Sequence, residues 1–314
     1  MWNYIICIVF LIILYIKNCF WYRQPISHIY HFYSGLLLTH PLMNKYCDTL
    51  HVIETSCTKD VVDYIIKKAP YFKSPESIEK HVLNSFITIY VNPSIVGCLL
   101  SKKLNFSLCK HVYYHEMYSD TPKIQRVLFQ THEYLRYIKT KCPVSIFSTS
   151  SKISFLKPLL HYSIQWLKTD TFCKHKLDHK IIRATPEMIY HDYSVWKNKF
   201  KCYILPSIDS IIYMTKHKQL SIFYYDTSIL FFKNTFEIEK NQVIIDWIGT
   251  IGNSNLDKPI STLFYYFKKI YPIVRIHDIS HTPFYCGYKT TYLNHYVYNF
   301  GIQRQNPHDC LCIL

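Results

Sequence analysis

The sequence predicts a mixed α/β protein in which two α/β halves share one continuous sheet. Three observations carry this reading. Some stretches set apolar residues on one helical stripe, others are short β-branched and aromatic runs closed by turn residues, and the two kinds alternate along the chain. In the first half they come as hairpin, strand, helix, strand, an order that sends a helix across a sheet. A polar stretch, TDTFCKHKLDHK (residues 169–180), then divides the chain, and helix and strand signals begin again behind it. A 49% hydrophobic and 17% aromatic composition excludes general disorder and supplies a sizeable core for 314 residues.

The elements follow in order. Residues 5–16 form an apolar run with no charge from Tyr4 to Ile16, ended by Lys17. It is shorter than the roughly 20 residues that span a bilayer comfortably. It also lacks the basic leading region and small-residue site of a cleaved signal. A membrane anchor is the expectation, with a buried N-terminal helix and a cleaved signal as alternatives. Residues 58–68 put Val61, Val62, Ile65 and Ile66 on one helical stripe. Residues 86–91 read as a strand, 92–94 (NPS) as a turn and 95–100 as the hairpin partner. Residues 111–115 are a further strand, and residues 124–138 a helix that offers Val127, Leu128, Leu135 and Ile138 to the core. Residues 144–147 return to extended structure. Beyond the polar stretch, residues 203–205, 210–214, 220–225 and 243–248 carry further helix and strand signals, 259–269 an amphipathic helix and 292–300 a late strand. The expected organisation is therefore 1–19 as the apolar segment, 20–168 and 181–314 as the two halves, and 169–180 as their connection.

A formal charge of +15 favours anionic partners: nucleic acid, an anionic membrane face or a polyphosphate cofactor. The sequence has no arginine-rich tract, paired zinc-finger spacing or G-x-x-x-x-G-K-[ST] loop, so nucleic acid is not expected. Twelve cysteines at irregular spacing fit a reducing compartment better than a disulfide framework or zinc site. HVYYHE (residues 111–116) is not H-E-x-x-H, and its alternation suits a strand, so no metal is expected.

Four stretches carry a family resemblance. FWYRQPI (residues 20–26) resembles the F-W-x-T-Q-P-V segment of glycylpeptide N-tetradecanoyltransferases, the N-myristoyltransferase family. SIVGCL (94–99) resembles the family hairpin ending in V-G-F-I, IQRVLFQTH (124–132) resembles the helix behind its acyl-CoA loop, and YLNHYVYNF (292–300) resembles its penultimate strand. The pieces occur in family order from residue 20 onward, in a chain somewhat shorter than the familiar catalytic core, such as a reduced viral member would have.

The resemblance implies two tandem acetyltransferase-like (GNAT-like) halves, the first for myristoyl-CoA and the second for a peptide. It implies transfer of myristate to the N-terminal glycine amine of proteins, with myristoyl-CoA as donor and no permanently bound cofactor. Phe20, Trp21 and Tyr22 would wall the CoA, and Thr121, Lys123 and Ile124 would meet it at the start of a helix. The backbone N–H groups of Val112 and Tyr113 would form the oxyanion site, because HVYYHE aligns without a gap on the family strand N-F-L-C-V-H. His111 stands in place of the family asparagine near the amine. Asp120 stands where the family has arginine, and CGYKTTY (286–292) keeps only Gly287 of a G-D-G turn.

An N-terminal ammonium must lose a proton before it attacks a thioester. In the family the base is the enzyme's own C-terminal carboxylate, here that of Leu314. Apolar Leu311, Ile313 and Leu314 give this tail a reason to pack instead of fraying. The expected setting is a membrane surface with the catalytic part facing the cytoplasm, or the cytoplasm itself if the apolar segment is buried. Two other functions fit the same residues: a non-catalytic acyl-CoA or acylated-peptide binding protein, and an acetyltransferase.

Overall fold

A computed structural model describes residues 2–29, 32–69, 75–82, 84–172, 181–239, 242–252, 256–283 and 285–314. Residues 173–180, most of the expected connection, lie outside the described residues. The first part of the chain forms α1 (Trp2–Asn18), β1 (Gly35–Leu36), β2 (Val52–Thr55), α2 (Lys59–Lys68), α3 (Pro75–Val82), β3 (Phe86–Val91), β4 (Ile95–Phe106), β5 (His111–Tyr118), α4 (Pro122–Thr140), β6 (Ser145–Thr149) and β7 (Leu160–Lys168). The second forms β8 (Ile182–Arg183), α5 (Pro186–Asn198), β9 (Cys202–Leu205), α6 (Ile208–Lys216), β10 (Leu220–Tyr225), β11 (Ser228–Glu239), β12 (Gln242–Ile251), α7 (Asp257–Phe267), β13 (Ile273–His277), β14 (Lys289–Tyr298), β15 (Phe300–Gly301) and β16 (Cys310–Cys312).

Among the described residues fourteen of the strands build one mixed sheet in the order β16-β9-β4-β5-β6-β14-β7-β13-β12-β11-β10-β8, with β3 on β4 and β2 on β3, while β1 pairs with β15 in a separate two-stranded sheet. The fold is thus the expected mixed α/β arrangement around a continuous sheet. The two parts of the chain interleave in it: β14 lies between β6 and β7, and β9 with β16 lies beside β4. β5 and β6 run parallel and pair from Tyr113↔Ser145 to His115↔Phe147. β5 continues to Tyr118 and β6 to Thr149, so the two strands part company just before α4 begins.

Local sequence explains the main elements. α2 buries Val61, Val62 and Ile65 as its stripe predicts. The short apolar run at residues 210–214 becomes helix because Ser207 caps it, its hydroxyl accepting from Ser210 N–H at 3.2 Å. Gly97 in the hairpin lets α4 approach closely, since a Cβ there would lie 3.0 Å from Ile124 Cγ2 and 3.1 Å from Leu128 Cδ2.

Two expectations are corrected. The inner face of α4 is largely polar: beside Leu128 and Phe129 it buries Gln130, Thr131, His132, Glu133 and Arg136, while Ile138 is exposed. These groups are tolerated because they bond to one another. Glu133 Oε2 accepts from Arg136 at 2.8 Å, its other oxygen meets His115, and His132 bridges Thr88 and Ser101 at 2.8 and 3.0 Å. The second correction concerns α1. At 17 residues it is about 25 Å long, short of a hydrocarbon core of about 30 Å. No helix of the described residues is long and apolar enough to cross a membrane. Nor is α1 buried, because Trp2, Ile6, Phe10 and Leu11 are all exposed.

Candidate active site

The tail of the chain is built into the core from its backbone outward. β16 pairs in parallel with β9, Cys310 opposite Cys202 and Cys312 opposite Ile204, and the pairing is extended by Ile313 N–H donating to Ile204 O at 2.9 Å. Ser280 Oγ donates to Cys310 O at 2.8 Å. Leu311 and Ile313 are completely buried among Trp196, Phe231 and Ile248, so apolar burial fixes the strand where the sequence suggested it would. Leu314, half-buried, lines a cavity of about 520 Å3.

The cavity is walled by α3, β4, the start of β5, α6 and β11. His111 and Leu314, which the sequence reading assigned to the amine pocket, both line it. Lys233 from β11 reaches across, and its Nζ donates to Leu314 O at 2.5 Å. Deeper in, Glu116 of β5 is bonded to His81 of α3, and Lys102 Nζ stands 3.4 Å from His81 Nδ1. Burial alone would raise the Glu116 carboxyl, but His81 and Lys102 outweigh it and hold the group well below the usual carboxylate range. Burial brings Lys102 down to about 8, a shift opposed by Glu116 and reinforced by Lys233. Burial also lowers His81.

His81, Lys102, Glu116 and Lys233 were missed by sequence reasoning. The one available signal was the lysine pair of KKLNF (residues 102–106) in an otherwise buried strand. A second polar file runs beneath the tail, where Ser148 Oγ meets His295 Nδ1 at 2.5 Å and His295 Nε2 meets Tyr162 OH at 3.0 Å. Burial, with His277 adding to it, lowers His295 to about 3, so this ring is neutral at physiological pH.

The other expected site residues lie apart from this cavity. Val112 is a buried core residue opposite Leu104 of β4. Tyr113 N–H donates to Val144 O at 3.2 Å, toward β6. Successive N–H groups of a strand point to opposite neighbours, so the two amides do not converge on one point in this conformation. Phe20 is core, and Trp21 stacks on Phe147 at 5.0 Å and meets Phe129 edge-on at 5.4 Å. Tyr22 packs against His28. Thr121 precedes Pro122 at the start of α4, its side chain making no cap bond. Lys123 is exposed and Ile124 half-buried in the first turn, and the Asp120 carboxylate just before them is paired with Lys68 of α2. Among the described residues no group of three or more His, Cys, Asp or Glu side chains could hold a metal ion.

The architecture belongs to a class with one mixed sheet shared between two interleaved α/β parts. Three solved structures of Saccharomyces cerevisiae N-myristoyltransferase share it. One, with bound myristoyl-CoA, matches at TM-score 0.66 and 8% identity over 92% of this chain and 95% of that one. A second with myristoyl-CoA matches at TM-score 0.68 and 9% identity over 92% and 90%, and a third, with myristoyl-CoA and inhibitors, at 0.67 and 8% over 93% and 92%. At such identities the likeness establishes the fold. No family model matches the sequence, and no curated protein matches it.

Proposed function

We propose that this protein is an N-acyltransferase that moves a myristoyl group from myristoyl-CoA to the N-terminal glycine amine of a protein or peptide. The observation that carries the reading is the Leu314 carboxyl group in a cavity with His111, within a fold like that of an enzyme crystallised with myristoyl-CoA. Residues 20–168 serve mainly the acyl-CoA and residues 181–314 mainly the peptide. The acyl-CoA lies where β5 and β6 separate, beside the first turn of α4. There Thr121, Lys123 and the backbone N–H groups of the first turn behind Pro122 meet phosphate, and the pairing of Asp120 with Lys68 relieves its repulsion. Phe20, Trp21 and Tyr22 form the neighbouring aromatic wall.

In this reading the glycine ammonium gives one proton to the Leu314 carboxylate, the neutral amine attacks the thioester carbon, and the carbon–sulfur bond breaks. Of the two protons left on the nitrogen, one goes to the departing CoA thiolate and the other stays as the N–H of the new amide. Tyr113 N–H, with Val112 beside it, stabilises the oxyanion by exchanging its bond to Val144 O for the thioester oxygen. Charge development there favours the exchange, because an N–H bond to an anion is stronger than one to a neutral carbonyl. The reading requires the chain to end at Leu314, which the intact mass of the protein checks. In the same account α1 lies against an anionic lipid surface, supported by its exposed apolar side chains and the chain's net +15 charge.

The test is incubation of the folded protein with myristoyl-CoA and a peptide beginning with glycine. The expected result is a mass gain of one myristoyl group on the peptide and release of CoA. Tight acyl-CoA binding with no product would replace this reading by the non-catalytic binding protein, and preference for acetyl-CoA by the acetyltransferase.

A further inference from the structure

The backbone ladder that holds the tail ends at Ile313, one residue short of the carboxyl group. A chain end beyond its last ladder bond ordinarily frays. Here a side chain continues the restraint. Lys233 sits in mid-strand on β11, opposite Leu220 on one side and Asp246 on the other, so its backbone is fixed between two neighbours. Its half-buried side chain crosses to Leu314 O.

The other charged groups around it leave the hydrogen bond of Lys233 with the tail. Glu116 takes His81 and feels the charges of Lys102 and, less strongly, Lys233. Lys103 of β4, His111 of β5 and Asp209 with Tyr213 of α6 face the same cavity, and Cys312 lies within reach of the Lys233 charge. We propose that Lys233 is the positioning residue for the terminal carboxylate, holding the Leu314 carboxyl group at the cavity wall and keeping it in the anionic form that accepts a proton. The inference rests on the reading of Leu314 as the base. A carboxylate has two oxygens, so one can stay with Lys233 while the other receives the ammonium proton. A cation in contact favours the charged form of a carboxyl group. Lys233 therefore extends the base form toward lower pH and spares the tail a conformational search.

The test compares wild type, Lys233→Arg and Lys233→Met, each labelled with carbon-13 at the leucine carbonyl carbon. A leucine carbon in a free carboxyl group titrates and those in peptide bonds do not, so the magnetic-resonance signal reads Leu314 directly. The proposal predicts a titration midpoint about one pH unit or more higher in Lys233→Met, restored by Lys233→Arg. It also predicts the same displacement in the acid limb of the transfer rate. A midpoint in Lys233→Met within a few tenths of a unit of wild type, roughly the scatter such a shift must exceed, overturns the proposal even if transfer proceeds. A shifted midpoint with no transfer by wild type instead overturns Leu314 as base and leaves the contact standing. No titrating leucine carbon at all overturns both.

Discussion

Glu133→Gln is the sharpest test of how α4 is held. The carboxylate accepts from Arg136 at 2.8 Å through one oxygen and at 3.3 Å through the other, and that second oxygen also meets His115. Arg136 is completely buried, and its remaining bond is to Cys142 O at 2.6 Å. Replacing the carboxylate by an amide leaves a buried guanidinium without its counter-charge, which costs about 3–5 kcal/mol. Against a total stability of about 5–15 kcal/mol that is a large share. Urea unfolding at pH 7 reads it as a lower midpoint with an unchanged slope.

The pH dependence carries the sign. Burial alone would raise the Glu133 carboxyl, but Arg136 and His115 hold it well below the carboxylate range. Its contribution is therefore fully present above the unfolded value of about 4.3 and is lost as pH falls toward the folded one. The gap between wild type and Glu133→Gln should narrow below about pH 4, because the variant has no such contribution to lose. A cost under about 1 kcal/mol at pH 7, or a gap that widens in acid, would refute the buried ion pair.

Three further outcomes follow from the geometry. Gly97→Val drives a side chain into Ile124 and Leu128, costing about 1–3 kcal/mol; calorimetry should also show weaker acyl-CoA binding as the first turn of α4 shifts. Ile313→Ala removes completely buried apolar volume from under the tail, for a loss of about 2–5 kcal/mol by urea unfolding, and transfer should fall more than acyl-CoA affinity. Removing residues 2–18 should abolish flotation with anionic vesicles while the circular dichroism of the remaining chain keeps its mixed α/β form; retained flotation would exclude α1 as the lipid contact.

The fold was legible where a pattern was local. The stripe of α2, the hairpin of β3 and β4, and the strands expected at residues 111–115 and 292–300 follow from apolar spacing and turn residues, although the structure runs the first on to Tyr118 and sets the second at Lys289–Tyr298. α5 went unread, although Thr185, Pro186 and Glu187 form a helix-start signal and Thr185 Oγ1 accepts from Met188 N–H. The inner face of α4 was misread because a buried His–Glu–Arg set looks like a solvated face until its partner His115 is placed beside it. His111 and Leu314 came from family resemblance, and although 203 positions apart in the sequence they line one cavity only because the intervening chain folds. Lys233, Glu116 and His81 carried no linear signal, and Lys102 only that of a lysine pair in a largely buried strand, since their relation exists only after β4, β5, β11 and α3 surround one cavity.

The most direct measurement compares single-turnover transfer by the chain ending at Leu314 with transfer by the same chain extended by two glycines, with acyl-CoA affinity measured on both. The account predicts a loss of about 100-fold or more in transfer, the range of a lost general base, with affinity within about twofold. Equal transfer rates in the two chains would contradict it.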